Sequence, residues 1–161
     1  ADASVRSALV VEMARASGEA GMVGGQMKDI EAESGGFASY DAIAAMQGMK
    51  TGALFRFACE AGAIMAQADR APLRQYAEHI GLAFQIADDI LDIEADAATL
   101  GKATGKDKAR GKATFVDFLG LDGAKTEAAR LTDAAIAVLT PYGAKADLLK
   151  DTARYIVARK K

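Results

Sequence analysis

The chain has 161 residues, with 20 Lys and Arg against 22 Asp and Glu (net charge −2), 51% hydrophobic and 6% aromatic residues. That balance is ordinary for a globular domain and poor for a disordered chain, and neither an excess of basic residues nor an apolar run of membrane-spanning length points to nucleic acid or a bilayer span. A single Cys excludes an internal disulfide framework and, with no basic-then-apolar leader, fits a cytoplasmic protein.

Only 2 Pro and heavy use of Ala, Leu and Met predict an all-helical protein. Val5, Leu9, Val10 and Met13 recur at three- and four-residue spacing, predicting a helix over 3–17. Gly18 and Gly21 interrupt it before Met22, Val23, Met27 and Ile30, among which Gly24 and Gly25 stand side by side. A glycine inside a helix costs about 1 kcal/mol against Ala, so close packing or a bound group must justify the pair. Residues 33–38 read as a loop. Ser39 or Asp41 then caps a helix carrying Ile43, Met46, Leu54, Phe55 and Ile64, with a kink or junction at Gly48–Gly52. Pro72 sits at the first turn of a further helix running to Glu94, apolar on nearly every side and therefore expected in the interior. Residues 96–112 form one long polar stretch. Short helices are predicted near 114–119, 123–139 and 145–158, with no strand pattern and no internal repeat.

The most informative segment runs from Gly81 to Glu94. At about 100° per residue, Gln85, Asp88, Asp89 and Asp92 share an arc of roughly 100°, while Phe84, Ile86, Ile90, Leu91 and Ile93 cover the rest. Burying uncompensated carboxylates is expensive, so three on one stripe of an apolar helix call for a cation. Oxygen ligands alone suit Mg²⁺, whereas a transition metal would want more than the single His79 and single Cys59. A solvated acidic face is the plainer alternative.

The polar stretch that follows holds Lys102, Lys106, Lys108, Arg110 and Lys112 against Asp107 alone. Metal on the carboxylates and a phosphate bridging to these lysines would make one shared ligand, and the glycines let backbone N–H groups approach an anion. A Walker loop is excluded, because Gly105-Lys106 is followed by Asp107 and Gly111-Lys112 by Ala113. Without aromatics in the stretch, nucleic-acid binding is disfavoured, and a plain solvated loop stays open. Lys50-Thr51 is a third candidate, set between apolar half-helices where a lysine is either a snorkelling surface residue or a ligand.

Taken in order, Gly24-Gly25-Gln26-x-x-Asp29, Lys50-Thr51-Gly52, Phe84-Gln85-x-x-Asp88-Asp89-x-x-Asp92, the Leu100–Thr114 lysine-glycine run and Tyr155-Ile156-Val157-x-Arg159 resemble the C-terminal half of a trans-isoprenyl diphosphate synthase of the bacterial short-chain type. The resemblance covers essentially the whole chain. It implies the C-terminal helices of the isoprenoid synthase helical bundle, and Mg²⁺-dependent head-to-tail transfer of an allylic diphosphate onto isopentenyl diphosphate, with farnesyl diphosphate the expected product. It further implies that Asp88, Asp89 and Asp92 hold metal and that Lys50, Lys102 and Lys106 bind diphosphate. Thr51 and Gln85 would offer oxygen dipoles beside the cationic carbon, and Phe84 would lie near the isopentenyl diphosphate site.

Members of that family carry two aspartate-rich helices, and this sequence holds one. The Gly-Lys-x-x-Arg element that helps bind isopentenyl diphosphate is also absent from it. With a helical start lacking Met, residues 1–161 are expected to be the C-terminal portion of a single domain whose N-terminal half is missing, from a homodimeric parent, and to be inactive alone. A reduced protein that kept the half-site is the competing account. A non-catalytic helical subunit of a synthase and a related terpene cyclase are the alternative functions.

Overall fold

The computed structural model describes residues 2–99 and 113–159, all of them helix or connection with no strand. Among the described residues seven α-helices run in order: α1 Ala3–Ser17, α2 Met22–Glu31, α3 Tyr40–Gln47, α4 Ala53–Ala66, α5 Ala71–Thr99, α6 Phe115–Val138 and α7 Asp147–Ala158. A π-helical turn, Gly48–Gly52, joins α3 to α4, and a 3-10 segment, Thr140–Ala146, leads into α7.

Local chemistry explains most boundaries. Ser39 caps α3, its Oγ accepting the N–H of Ala42 at 3.2 Å. Thr114 and Asp117 form a reciprocal capping box at the start of α6. The two helices expected between 114 and 139 meet inside α6 at Gly120, where a φ of 69° and a ψ of 164° break the helical path in a conformation that only glycine adopts freely. α5 runs to Thr99, past the expected Glu94, because Ala95, Ala97 and Ala98 are strong helix formers and no breaker intervenes.

α5 is the axis of the fold. Tyr76, Ile80, Ala83, Ala87 and Ile90 recur at helical spacing and are buried, with Ile86 beside them. Around its C-terminal half, Ile43 and Met46 of α3 meet Phe115, Ala124, Ala128 and Leu131 of α6. Around its N-terminal half, Ala135 and Leu139 meet Ala153 and Ile156 of α7. α6 therefore runs antiparallel to α5. Burial of each such Ile or Leu contributes roughly 1.5–3 kcal/mol.

The expectation of burial on nearly every side is corrected here: Asp88 is exposed and Ile93 is 37% exposed, so α5 has one open face. Tyr76 donates its hydroxyl to the carbonyl of Leu149 at 2.8 Å, tying α5 to the start of α7. Buried Glu60 of α4 accepts a two-pronged contact from Arg74 of α5, at 2.7 and 3.1 Å. On α1 and α2, by contrast, Val10, Val23, Met27 and Ile30 stand 48–69% exposed. No described helix is long and apolar enough to cross a membrane.

Candidate functional site

Two segments that lie far apart in the chain are brought together. The π turn carries Lys50, Thr51 and Gly52, and it packs against α5 at Gly81: a Cβ there would lie 3.5 Å from the Cα of Gly52 and 3.7 Å from the Cβ of Phe55. Gln85 follows Gly81 by one helical turn and Asp88 by about two, a rise of roughly 10 Å. Thr51 and Gln85 are both half-buried. Lysine-threonine turn and acidic stripe thus share the same side of the α4–α5 pair.

Lys50 is neither a snorkelling surface residue nor an isolated charge. Its Nζ donates to Oδ2 of Asp29 on α2 at 2.7 Å, with the lysine side chain 32% and the aspartate side chain 8% exposed. Gly24 and Gly25 explain themselves at the same place. A Cβ on Gly25 would overlap the backbone of Lys50, lying 2.6 Å from its Cα, so the glycine pair serves close packing.

The three carboxylates of α5 have different surroundings. Asp88 is exposed, and its Oδ1 accepts from Nη2 of Arg159 at 2.6 Å. The same guanidinium lies 4.3 Å above the ring of Phe84, whose other neighbour is Phe55, at a centroid distance of 5.3 Å. Asp92 is exposed one turn further on. Asp89 leans towards α6, where its Oδ2 accepts the backbone N–H of Phe115 at 2.8 Å. In the sequence Arg159 belongs only to the closing motif, and the fold is what places it on Asp88 and Phe84.

Burial pushes the Asp89 carboxyl up to about 6, with Asp88, Asp92 and Asp117 adding repulsion and the Phe115 N–H opposing it. The folded state then holds this proton more tightly than the unfolded chain does. Metal-free protein should gain stability as pH falls from 7 through 6 towards 4, and lose it as pH rises. Asp89→Asn keeps an acceptor for Phe115 and removes the buried charge. Thermal unfolding without metal at pH 7.5 should therefore show the variant more stable by about 1–2 kcal/mol, with that pH slope flattened. A less stable variant would mean that the charged form is favoured in the fold.

Among the described residues no three His, Cys, Asp or Glu side chains converge tightly enough to hold a metal by themselves. The donors are separated carboxylate oxygens along one helix. They fit a hard cation shared with phosphate oxygens and water, not a closed cage of protein ligands. Lys102 and Lys106, the other expected diphosphate ligands, lie outside the described residues.

The chain is similar to known proteins along most of its length. The family model for polyprenyl synthetase matches residues 4–148. A farnesyl diphosphate synthase of Escherichia coli is 44% identical over 97% of this chain and 54% of its own length. The crystal structure of an FPP/GFPP synthase from Zymomonas mobilis superposes with a TM-score of 0.84 at 46% identity, covering 97% of this chain and 52% of that one. A geranyltransferase from Helicobacter pylori, solved with magnesium and isoprenyl diphosphate, shares the fold at a TM-score of 0.75 and 23% identity. The chain spans about half the length of the curated relatives it matches.

Proposed function

The chain belongs to the polyprenyl synthetase family, and from that premise we propose that it supplies one wall of a prenyl-transfer site: the second aspartate-rich helix and the lysine turn that faces it. The observation that carries this reading is the seating of the Lys50–Gly52 turn against α5 at Gly81, beside the stripe that ends in Asp88 and Asp92.

In this reading an allylic diphosphate lies with its phosphate oxygens between Lys50 and the α5 carboxylates, and Lys102 and Lys106 add charge from the following segment. Asp88, Asp89 and Asp92 would hold Mg²⁺, which would supply positive charge where the leaving group becomes more negative. The allylic C–O bond breaks and its electron pair leaves with the diphosphate. The double bond of isopentenyl diphosphate then forms the new C–C bond, and a proton is lost from the resulting cation. Thr51 and Gln85 turn oxygen dipoles towards the electron-poor carbon without trapping it as a charged nucleophile would. Phe84, held between Phe55 and Arg159, gives an aromatic face on the isopentenyl side.

A cytosolic homodimer making a short-chain product, farnesyl diphosphate first, belongs to the same proposal. So does a first aspartate-rich helix contributed from outside these 161 residues. The exposed apolar side chains of α1 and α2 support a bundle larger than the described one. The test is product formation from dimethylallyl or geranyl diphosphate with isopentenyl diphosphate and Mg²⁺. Residues 1–161 alone should give no C15 or C20 product, while a polypeptide that adds an upstream aspartate-rich helix should give it steadily. Turnover by the chain alone overturns the half-site, and no product from the longer polypeptide overturns prenyl transfer.

A further inference from the structure

Lys50 is gripped at both ends by α2. Its backbone lies so close to Gly25 that no side chain fits there, and one turn further along α2 its ammonium meets the buried carboxylate of Asp29 at 2.7 Å. Asp29 is 5% exposed, whereas about a third of the lysine side chain reaches solvent. The same asymmetry holds Arg74 over buried Glu60, with side chains 50% and 7% exposed; what sets Lys50 apart is its place on the π turn that is seated against α5.

The need for such a hold follows from the turn itself. Residues 48–52 follow a π path, whose wider hydrogen bonding is rare and persists where surrounding structure enforces it. If the turn relaxed to α-helical bonding, Lys50 would swing by up to about 100° around the axis. The ammonium has three N–H donors, and with one fixed on Asp29 the direction of the other two is set.

We propose that Asp29 is a positioning residue for prenyl transfer: through its ion pair it fixes the Lys50 ammonium where the diphosphate of the allylic substrate will lie. This rests on the reading of Lys50 given above, and the experiment separates the two. In the polypeptide that adds an upstream aspartate-rich helix, kcat/KM for the allylic diphosphate is measured for Asp29→Asn, Lys50→Gln and the double variant, with thermal unfolding of each. Lys50→Gln keeps a donor on the buried carboxylate but loses the charge. Asp29→Asn should lower kcat/KM tenfold or more when Lys50 is present and less than threefold once Lys50 is Gln, because its effect passes through the lysine.

A loss of equal size in both backgrounds, a shifted melting temperature with kcat/KM unchanged, or a faster Asp29→Asn enzyme each overturns the positioning role. If Lys50→Gln itself leaves kcat/KM unchanged, the assignment of Lys50 to the diphosphate fails instead. Should Asp29→Asn not fold, Asp29→Glu carries the same cycle, keeping the charge and displacing it by one methylene.

Discussion

If the proposed prenyl transfer holds, replacing Asp88 with alanine in a polypeptide that adds an upstream aspartate-rich helix should lower kcat/KM for the allylic diphosphate by about 10²–10³, or roughly 2.7–4 kcal/mol of transition-state stabilisation. Of the three stripe carboxylates Asp88, Asp89 and Asp92, Asp88 is exposed and has a cation as its described partner, the Arg159 guanidinium at 2.6 Å. An arriving metal–diphosphate can take the place of that cation without uncovering a buried group. Asp89 is different, since one of its oxygens already serves the Phe115 N–H. Stability should respond little, because a half-open ion pair contributes about 0–1 kcal/mol. The readouts are steady-state kinetics and Mg²⁺-dependent binding of inorganic pyrophosphate. Unchanged Mg²⁺-dependent binding in Asp88→Ala would show that the metal sits elsewhere.

The second large effect concerns folding. Phe115→Ala should cost about 3–5 kcal/mol of unfolding free energy, the range for removing a fully buried Phe. Phe115 is 0% exposed and sits at the first turn of α6, in edge contact with Tyr40 at a ring-centroid distance of 5.4 Å and against the Ile86–Ile90 side of α5. Its loss opens a cavity where α3, α5 and α6 meet, directly below the acidic stripe. Urea titration should show a lower midpoint with an unchanged slope, and Phe115→Leu should keep most of the stability. A cost below about 1 kcal/mol for the alanine would mean that this side chain is not at the centre of the packing.

Several features were legible in the residues because they depend on neighbours close in sequence. The span of α1, Ser39 as a cap, Pro72 at the head of α5 and the bend between 119 and 123 all follow from capping and periodicity. The acidic stripe was likewise fixed by helical geometry alone. Its surroundings were not: that Asp89 turns to Phe115 while Asp88 meets Arg159 depends on where α6 and the end of α7 pack, 26 and 71 residues away. Glu60 with Arg74 and Asp29 with Lys50 are further cases, since a charged residue on an apolar helix gives no hint of which distant partner lets it be buried. α5 reaches past Glu94 to Thr99 because Ala-rich polar sequence favours helix, whereas polarity alone suggests a loop there.

The π turn bears on which length changes this chain tolerates. α3, the turn and α4 form one rod from Tyr40 to Ala66, yet Ile43 and Met46 seat against α5 and α6 while α4 packs on α1 and the head of α5. An unbroken α-helix through the same residues could not serve both sets of neighbours, because each residue advances it by about 100° and the turn absorbs one such increment. Deleting one residue between Met46 and Ala53 would let α-helical bonding resume with Ala53, Ala63 and Ile64 near their present phase, because a π turn holds about one residue more than an α turn over nearly the same rotation. A further insertion there would instead rotate α4 by about 100°, while the connection at 32–39, which sets no helical phase, can absorb length changes.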